Sequence, residues 1–327
     1  MRAVLLRQPF SHTEERKERM RTGIVLEGGA MRGMFTAGIL DVFMENGISF
    51  DGAIGVSAGA TFGCNLKTGQ IGRTLRYNLK YCKDKRYAGL ESLIRTGDIY
   101  NAKFDYDDIP NRLDPYDTKA HYASPMDFWL TATNVDTGEA VYHKLVDPDI
   151  KWIQASASMP GVSNVVYCDG EAYTSSGPDY ESDKTFDEKY TQVDCYSMGL
   201  SDGGTSDSVP LKFFEDLGYD RIVVICTQPY GYRKKKTSLI PFLKVRLKDY
   251  PELVQTLANR HIMYNKTMDY IDRSAAERSD HVLLIRPKEK LKIRKVERNR
   301  ENIQRVYDMG REEGERRLND VKKFLGL

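Results

Sequence analysis

Residues 55–59 read Gly55-Val56-Ser57-Ala58-Gly59 at the end of an apolar run, and no other stretch constrains the backbone of this chain as tightly. A serine nucleophile has to stand on a sharp strand-to-helix turn with its Oγ exposed, and small flanking residues such as Gly55, Ala58 and Gly59 let the chain fold closely there. Residues 50–56 suit a short buried strand. Residues 58–67 suit a helix, with Gly69 just past its end. The context such a turn needs is therefore present, although a bare pentapeptide also fits a tight turn without chemistry.

Two further segments bear on that choice. Gly28-Gly29-Ala30-Met31-Arg32-Gly33 follows the apolar residues 23–26 and precedes a helix-like stretch over 34–46, closed by Gly47. A glycine-rich loop at this place offers backbone N–H groups to an anion. A dinucleotide fingerprint would want glycine where Ala30 stands, and Asp51, at about the right spacing for its acidic residue, precedes its strand. A P-loop is excluded, because Met34-Phe35 follow Gly33 where Lys and Ser or Thr are required. An oxyanion hole needs only donors, and fits best. The plain alternative is a turn that binds nothing. The second segment is Ser201-Asp202-Gly203-Gly204, a carboxylate in a tight turn. By itself this sequence is a common turn.

Taken together, strand–glycine loop–helix, strand–serine elbow–helix and Asp-Gly-Gly resemble the patatin-like phospholipase family, serine acyl hydrolases that use a Ser–Asp dyad. The likeness is strongest to a bacterial branch, in which Glu27 to Gly33 leading into Thr36-Ala37-Gly38-Ile39-Leu40-Asp41 has a counterpart, as does Ala155-Ser156-Ala157-Ser158-Met159-Pro160-Gly161. It covers roughly residues 22–230, with a weaker echo around Leu284–Pro287 and Tyr307–Gly310. The resemblance implies Ser57 as nucleophile, Asp202 as proton acceptor, and Gly28, Gly29 and Ala30 as oxyanion hole. Arg32, Gly33, Gly55, Ala58, Gly59, Gly203 and Gly204 complete the motifs. Arg32 has the position of an arginine that supports the loop or meets a substrate phosphate. Two departures stand out. Ala30 replaces a glycine common in relatives, yet keeps its N–H. A polar, acidic segment over 174–200 intervenes before the Asp turn, and a lid or a disordered surface loop are both open readings.

The rest of the chain sets bounds. With 327 residues, 40% hydrophobic and 29% charged, it can bury a sizeable core and is not disordered throughout. No apolar run is long enough for a transmembrane helix, and the first residues do not read as a signal peptide; residues 1–21 read as a tail. The five cysteines are odd in number, widely spaced and without clustered histidines, which argues against structural zinc and a disulfide framework and makes a cytoplasmic setting the default. No metal or organic cofactor is indicated. Strand-like and helix-like segments alternate, and the continuous apolar run 221–226 suits a sheet covered on both faces. The expected fold is α/β: a mainly parallel central sheet between helical layers, the patatin-like three-layer sandwich, with a basic, mostly helical region over 231–327 packed on the catalytic domain.

The net charge is only +2, but residues 233–248 carry seven basic residues and no acid, interleaved with Leu239, Ile240, Phe242, Leu243, Val245 and Leu247. This segment is either a peripheral contact for anionic membrane or a solvated loop leading into a packed helix. Nucleic-acid binding has no motif behind it. The function expected is hydrolysis of lipid carboxylic esters, from phospholipid or lysophospholipid. A catalytically silent lipid-binding or partner-binding protein on the same fold is the first alternative. A Ser–Asp–His triad using His261 or His281 is the second.

Overall fold

The computed structural model describes residues 20–327, so the tail expected at 1–21 lies almost wholly outside the described residues. Eight strands occur among them: β1 Thr22–Leu26, β2 Gly52–Val56, β3 Asp127–Asn134, β4 Ala140–Lys144, β5 Val166–Ser175, β6 Thr191–Asp202, β7 Arg221–Ile225 and β8 Val282–Ile285. They form one sheet in the order β4-β5-β6-β3-β2-β1-β7-β8. Side chains alternate across it. Ile24, Leu26, Val223 and Ile225 enter the core on one face, and Val25, Ile222 and Val224 the core on the other. Burial on both faces is why the run 221–225 is apolar without interruption.

The expectation of a mainly parallel sheet needs correction, because the sheet is mixed. Strands β3, β2, β1, β7 and β8 pair in parallel. Strands β4 and β6 pair antiparallel with β3, and β5 pairs antiparallel with both β4 and β6. The short connection 135–139 permits only a hairpin between β3 and β4, since a parallel return needs a long crossover. Residues 174–200 are neither lid nor disordered loop. They hold the end of β5, the short helix Phe186–Lys189 and most of β6. Between these, Tyr180 donates to Thr267 Oγ1 at 2.7 Å and stacks on Tyr270, both on the helix Pro251–Glu277. No residue of 174–200 lines the two cavities that meet at Ser57.

The C-terminal helix Arg300–Leu325 crosses the helix Gly33–Glu45 at a pair of glycines. A Cβ on Gly310 would stand 2.1 Å from the carbonyl oxygen of Phe35, and one on Gly38 would stand 2.2 Å from that of Tyr307. Backbone therefore meets backbone. The crossing is pinned by Tyr307 Oη donating to Asp41 Oδ2 at 2.6 Å and by Arg311 on Glu45 at 2.7 Å.

The Asp turn is buttressed from below by Asp207, which is fully buried and accepts from Tyr142 Oη and the Val209 amide. Burial pushes its carboxyl up to about 7 against those two hydrogen bonds. The unfolded chain releases this proton near 3.8, so between these values the folded state binds more protons. Its contribution to stability is thus fully present below pH 4 and is lost as pH rises to about 7. Asp207→Asn keeps an acceptor for Val209 but has no proton to lose. Relative to wild type it is expected to gain on the order of 2 kcal/mol more at pH 8 than at pH 5 in urea unfolding. An equal gap at both values would show that Asp207 does not titrate in this interval.

Candidate active site

Register explains why three distant segments converge. Leu26 of β1 pairs with Gly55 of β2 and with Ile225 of β7, so the carboxyl ends of these strands are level. The glycine loop, Ser57 and Thr227 leave the sheet side by side there, where open α/β sheets bind ligands. Strand β3 carries the level further: Val56 pairs with Thr131, and Ala132 pairs with Asp202 of antiparallel β6. Ser57 and Asp202 thus stand two strand spacings apart, about 10 Å between backbones, with only β3 between them.

Ser57 has φ 55° and ψ −119°, a backbone conformation unusual for a residue with a Cβ. It is followed at once by the helix Ala58–Thr68. The turn closes because Gly59 has no side chain: a Cβ there would lie 2.3 Å from the Leu26 carbonyl oxygen. The Ser57 amide donates to Ser156 Oγ at 2.9 Å, and Ser156 Oγ donates to the Thr131 carbonyl at 2.7 Å. Two residues further on, just past the helix end, the Ser158 carbonyl accepts the Asp202 amide and Ser201 Oγ, both at 2.8 Å. The end of the helix Ile150–Ala157 therefore ties the elbow and the Asp turn to each other. This positioning role is invisible in composition or periodicity, and only the resemblance of residues 155–161 hinted at it.

The glycine loop is held from the other side. Glu27 accepts from the Thr227 amide and hydroxyl and from Tyr264 Oη at 2.8 Å. Arg32 Nε donates to Thr227 Oγ1 at 3.3 Å, which gives it a loop-supporting contact. Ala30 takes φ 49°. A Cβ on Gly28 would lie 3.1 Å from Ser57 Cβ, so the loop passes directly over the elbow. Asp202 accepts from the Gly204 amide at 2.8 Å, and no hydrogen bond joins it to Ser57 Oγ.

Ser57 lies where two cavities meet. One is walled by apolar and aromatic side chains including Met31, Phe62, Tyr77, Tyr106, Ile109 and Ile153. Asp105 also faces it, with both carboxylate oxygens buried and unpartnered; burial holds its carboxyl far above the usual range. The other cavity is the more polar of the two. It contains Asp202, Gly28, Gly29, Ala30 and Arg32, and it is lined further by Lys234, Arg260, His261 and Lys295.

The two histidines now separate. His281 meets Glu215 Oε1 and the Asp220 carbonyl, before the amino end of β7. It sits at the end of the sheet away from Ser57, which removes it as a triad member. His261 lines the polar cavity, and its Nδ1 is buried without a partner. All five cysteines are buried and free. Among the described residues there is no cluster of metal-ligating side chains, and no helix is long and apolar enough to cross a membrane.

A mixed α/β sheet with a strained serine elbow beneath a glycine loop defines the architecture, and family comparison agrees with it. Residues 24–214 match the patatin-like phospholipase model, and the chain belongs to that family. Residues 250–326 match a second model, a domain of unknown function, DUF6363. A curated relative, the uncharacterized protein YjjU of Escherichia coli (strain K12), is 27% identical over 219 residues, which are 64% of this chain and 52% of YjjU. The chain thus spans about half the length of that relative. Among solved structures, VipD from Legionella pneumophila aligns over 92% of this chain and 67% of its own, at 11% identity and a TM-score of 0.42.

Proposed function

We propose that this protein is a serine acyl hydrolase that cleaves carboxylic ester bonds of lipids through Ser57 and Asp202. One observation carries the reading: the strained serine stands at the junction of an apolar cavity, suited to an acyl chain, and a polar cavity that contains the carboxylate and the glycine loop. Ser57 Oγ attacks the ester carbonyl while Asp202 takes its proton. Amides of Gly28, Gly29 and Ala30 receive the negative charge of the tetrahedral oxygen. Asp202 returns the proton to the departing alcohol, then accepts one from the water that releases the fatty acid. Family membership supports lipid as the substrate class. On this reading the catalytic unit spans 22–230, and 231–327 is a mostly helical region that packs against it in the patatin-like sandwich and adds β8 to its sheet.

Labelling with a fluorophosphonate, followed by intact mass, tests the assignment. One adduct is expected on wild type and on His261→Gln, and none on Ser57→Ala or Asp202→Asn. Loss of the adduct in folded His261→Gln would bring back a triad. No adduct on folded wild type would favour a silent lipid-binding protein.

We also assign residues 233–248 a contact with anionic lipid surface. The helix Ile240–Arg246 and its approach turn Leu239, Phe242 and Val245 to solvent, at 59%, 55% and 77% exposure. Lys235, Lys236, Lys244 and Lys248 are exposed beside them, and Leu239 and Leu243 reach back to line the polar cavity. Apolar side chains ringed by lysines suit the headgroup boundary of an anionic bilayer. Phe242→Glu combined with Val245→Glu is expected to cut sedimentation with phosphatidylglycerol vesicles about tenfold. Binding equal to wild type would remove the contact.

A further inference from the structure

The polar cavity carries more positive charge than its own carboxylates use. Arg32, Lys234, Lys235, Arg260 and Lys295 line it, against Glu27 and Asp202. Glu27 is already engaged by Thr227 and Tyr264. Among the described residues, Lys234, Arg260 and Lys295 form no ion pair. Arg260 Nε is sealed from solvent and has no hydrogen-bond partner. Its terminal nitrogen lies close to the Asp turn, 2.8 Å from where a Cβ on Gly204 would stand. Lys234 places its ammonium 4.1 Å from the centre of the Tyr264 ring, and burial draws its pKa down to about 7. Lys234 and Arg260 are half-buried and Lys295 is exposed. Cations that outnumber the carboxylates Glu27 and Asp202 in one cavity repel one another, and an anionic ligand offsets that repulsion.

The origin of these cations matters. Lys234, Arg260 and Lys295 all lie outside residues 24–214, and the last two fall within the C-terminal domain of unknown function. That region closes the half of the site opposite the apolar cavity. A guanidinium fork and two ammonium groups suit a phosphate, the fork by two parallel hydrogen bonds and the lysines as point charges. A zwitterionic head group would bring its own cation into a cavity with a surplus of positive charge, which like-charge repulsion disfavours.

We propose that the C-terminal region selects the head group: Lys234, Arg260 and Lys295 hold a phosphate monoester whose acyl ester lies at Ser57, making net-anionic acyl glycerophosphates the substrate class. This deepens the reading of Ser57 as nucleophile and rests on it for the ester, but the anion site can be tested apart from turnover.

Turnover is read with three short-chain monoacyl esters kept below their micellar concentrations: glycerol 3-phosphate, glycerophosphocholine and uncharged glycerol. Wild type is expected to favour the glycerol phosphate ester at least 30-fold in kcat/KM over either of the others. Arg260→Gln is expected to reduce that ratio about tenfold, chiefly through KM. Arg260→Lys, which keeps the charge but not the fork, should fall between and serves if the Gln variant does not fold. Binding is read separately by calorimetry on Ser57→Ala, using a non-hydrolysable alkyl ether of glycerol 3-phosphate and the matching ether of glycerol. The phosphate ether should bind at least tenfold tighter, and Arg260→Gln in the same background should remove the difference. Equal binding of the two ethers overturns the anion site, whatever the turnover. A preference for phosphate that depends on Arg260, with no hydrolysis of any ester, upholds the anion site and sinks the catalytic reading instead. Displacement of the phosphate ether by equimolar inorganic phosphate assigns the site to free phosphate and overturns the lipid assignment.

Discussion

Ser57→Ala is expected to lower ester turnover by on the order of 10⁴-fold or more, equivalent to about 5.5 kcal/mol of barrier, in a protein that remains folded. The fold should survive because the elbow depends on contacts the hydroxyl does not make. The Ser57 amide bonds to Ser156, and Gly59 permits the close approach to Leu26. Asp202→Asn keeps an acceptor for the Gly204 amide and so keeps the turn. Its loss, expected on the order of 10³-fold or more, therefore reports on the carboxylate as a base. The two changes act on one step, so the double variant should cost little more than Ser57→Ala alone. Near-wild-type turnover in folded Ser57→Ala would end the assignment. Additive losses would mean that the two residues serve different steps.

Gly310→Val should be the most destabilising single change away from the site. The added Cβ would meet the Phe35 carbonyl oxygen at 2.1 Å and its carbon at 2.8 Å, and neither atom can swing aside as a flexible side chain could. The helices Gly33–Glu45 and Arg300–Leu325 must then separate, with exposure of Ile303, Val306 and Tyr307. A loss of more than about 4 kcal/mol is expected, seen as a lowered denaturation midpoint. The helix Gly33–Glu45 begins where the glycine loop ends, so activity should fall with it even where folded protein remains. A midpoint within about 1 kcal/mol of wild type would show that the crossing is looser than its geometry.

Much of the site was legible locally. Ser57, the loop at Gly28–Ala30 and the turn at Asp202 each consist of contiguous residues whose backbone needs are written in their glycines and neighbours. Strand β6 was not legible. Its sequence Thr191–Asp202 mixes polar and apolar residues because one face is largely open to water, as Tyr196 at 84% exposure shows, and the alternation that marks a half-buried strand is weak there. With β6 unseen, the segment 174–200 read as insert and the sheet as mainly parallel. The run 233–248 read as one basic surface, yet the fold turns Lys234 into the cavity, sets the exposed Lys235 at its rim and leaves Lys236 outside it. His261 and His281 were equivalent as letters, and strand direction parted them, one lining the Ser57 cavity and the other at the amino end of β7.

The amino-acid sequence by itself determined the family, the serine elbow, the glycine loop and the Asp turn, because each is a property of a few adjacent residues and the backbone conformations they allow. Tertiary structure alone decided that Ser156 and Ser158 bind elbow and turn together. It alone decided which histidine shares the cavity, and that Lys234, Arg260 and Lys295 face the space beside Ser57. Those outcomes depend on strand order and helix docking between segments tens to hundreds of residues apart, and no local pattern encodes which pairing buries the most surface.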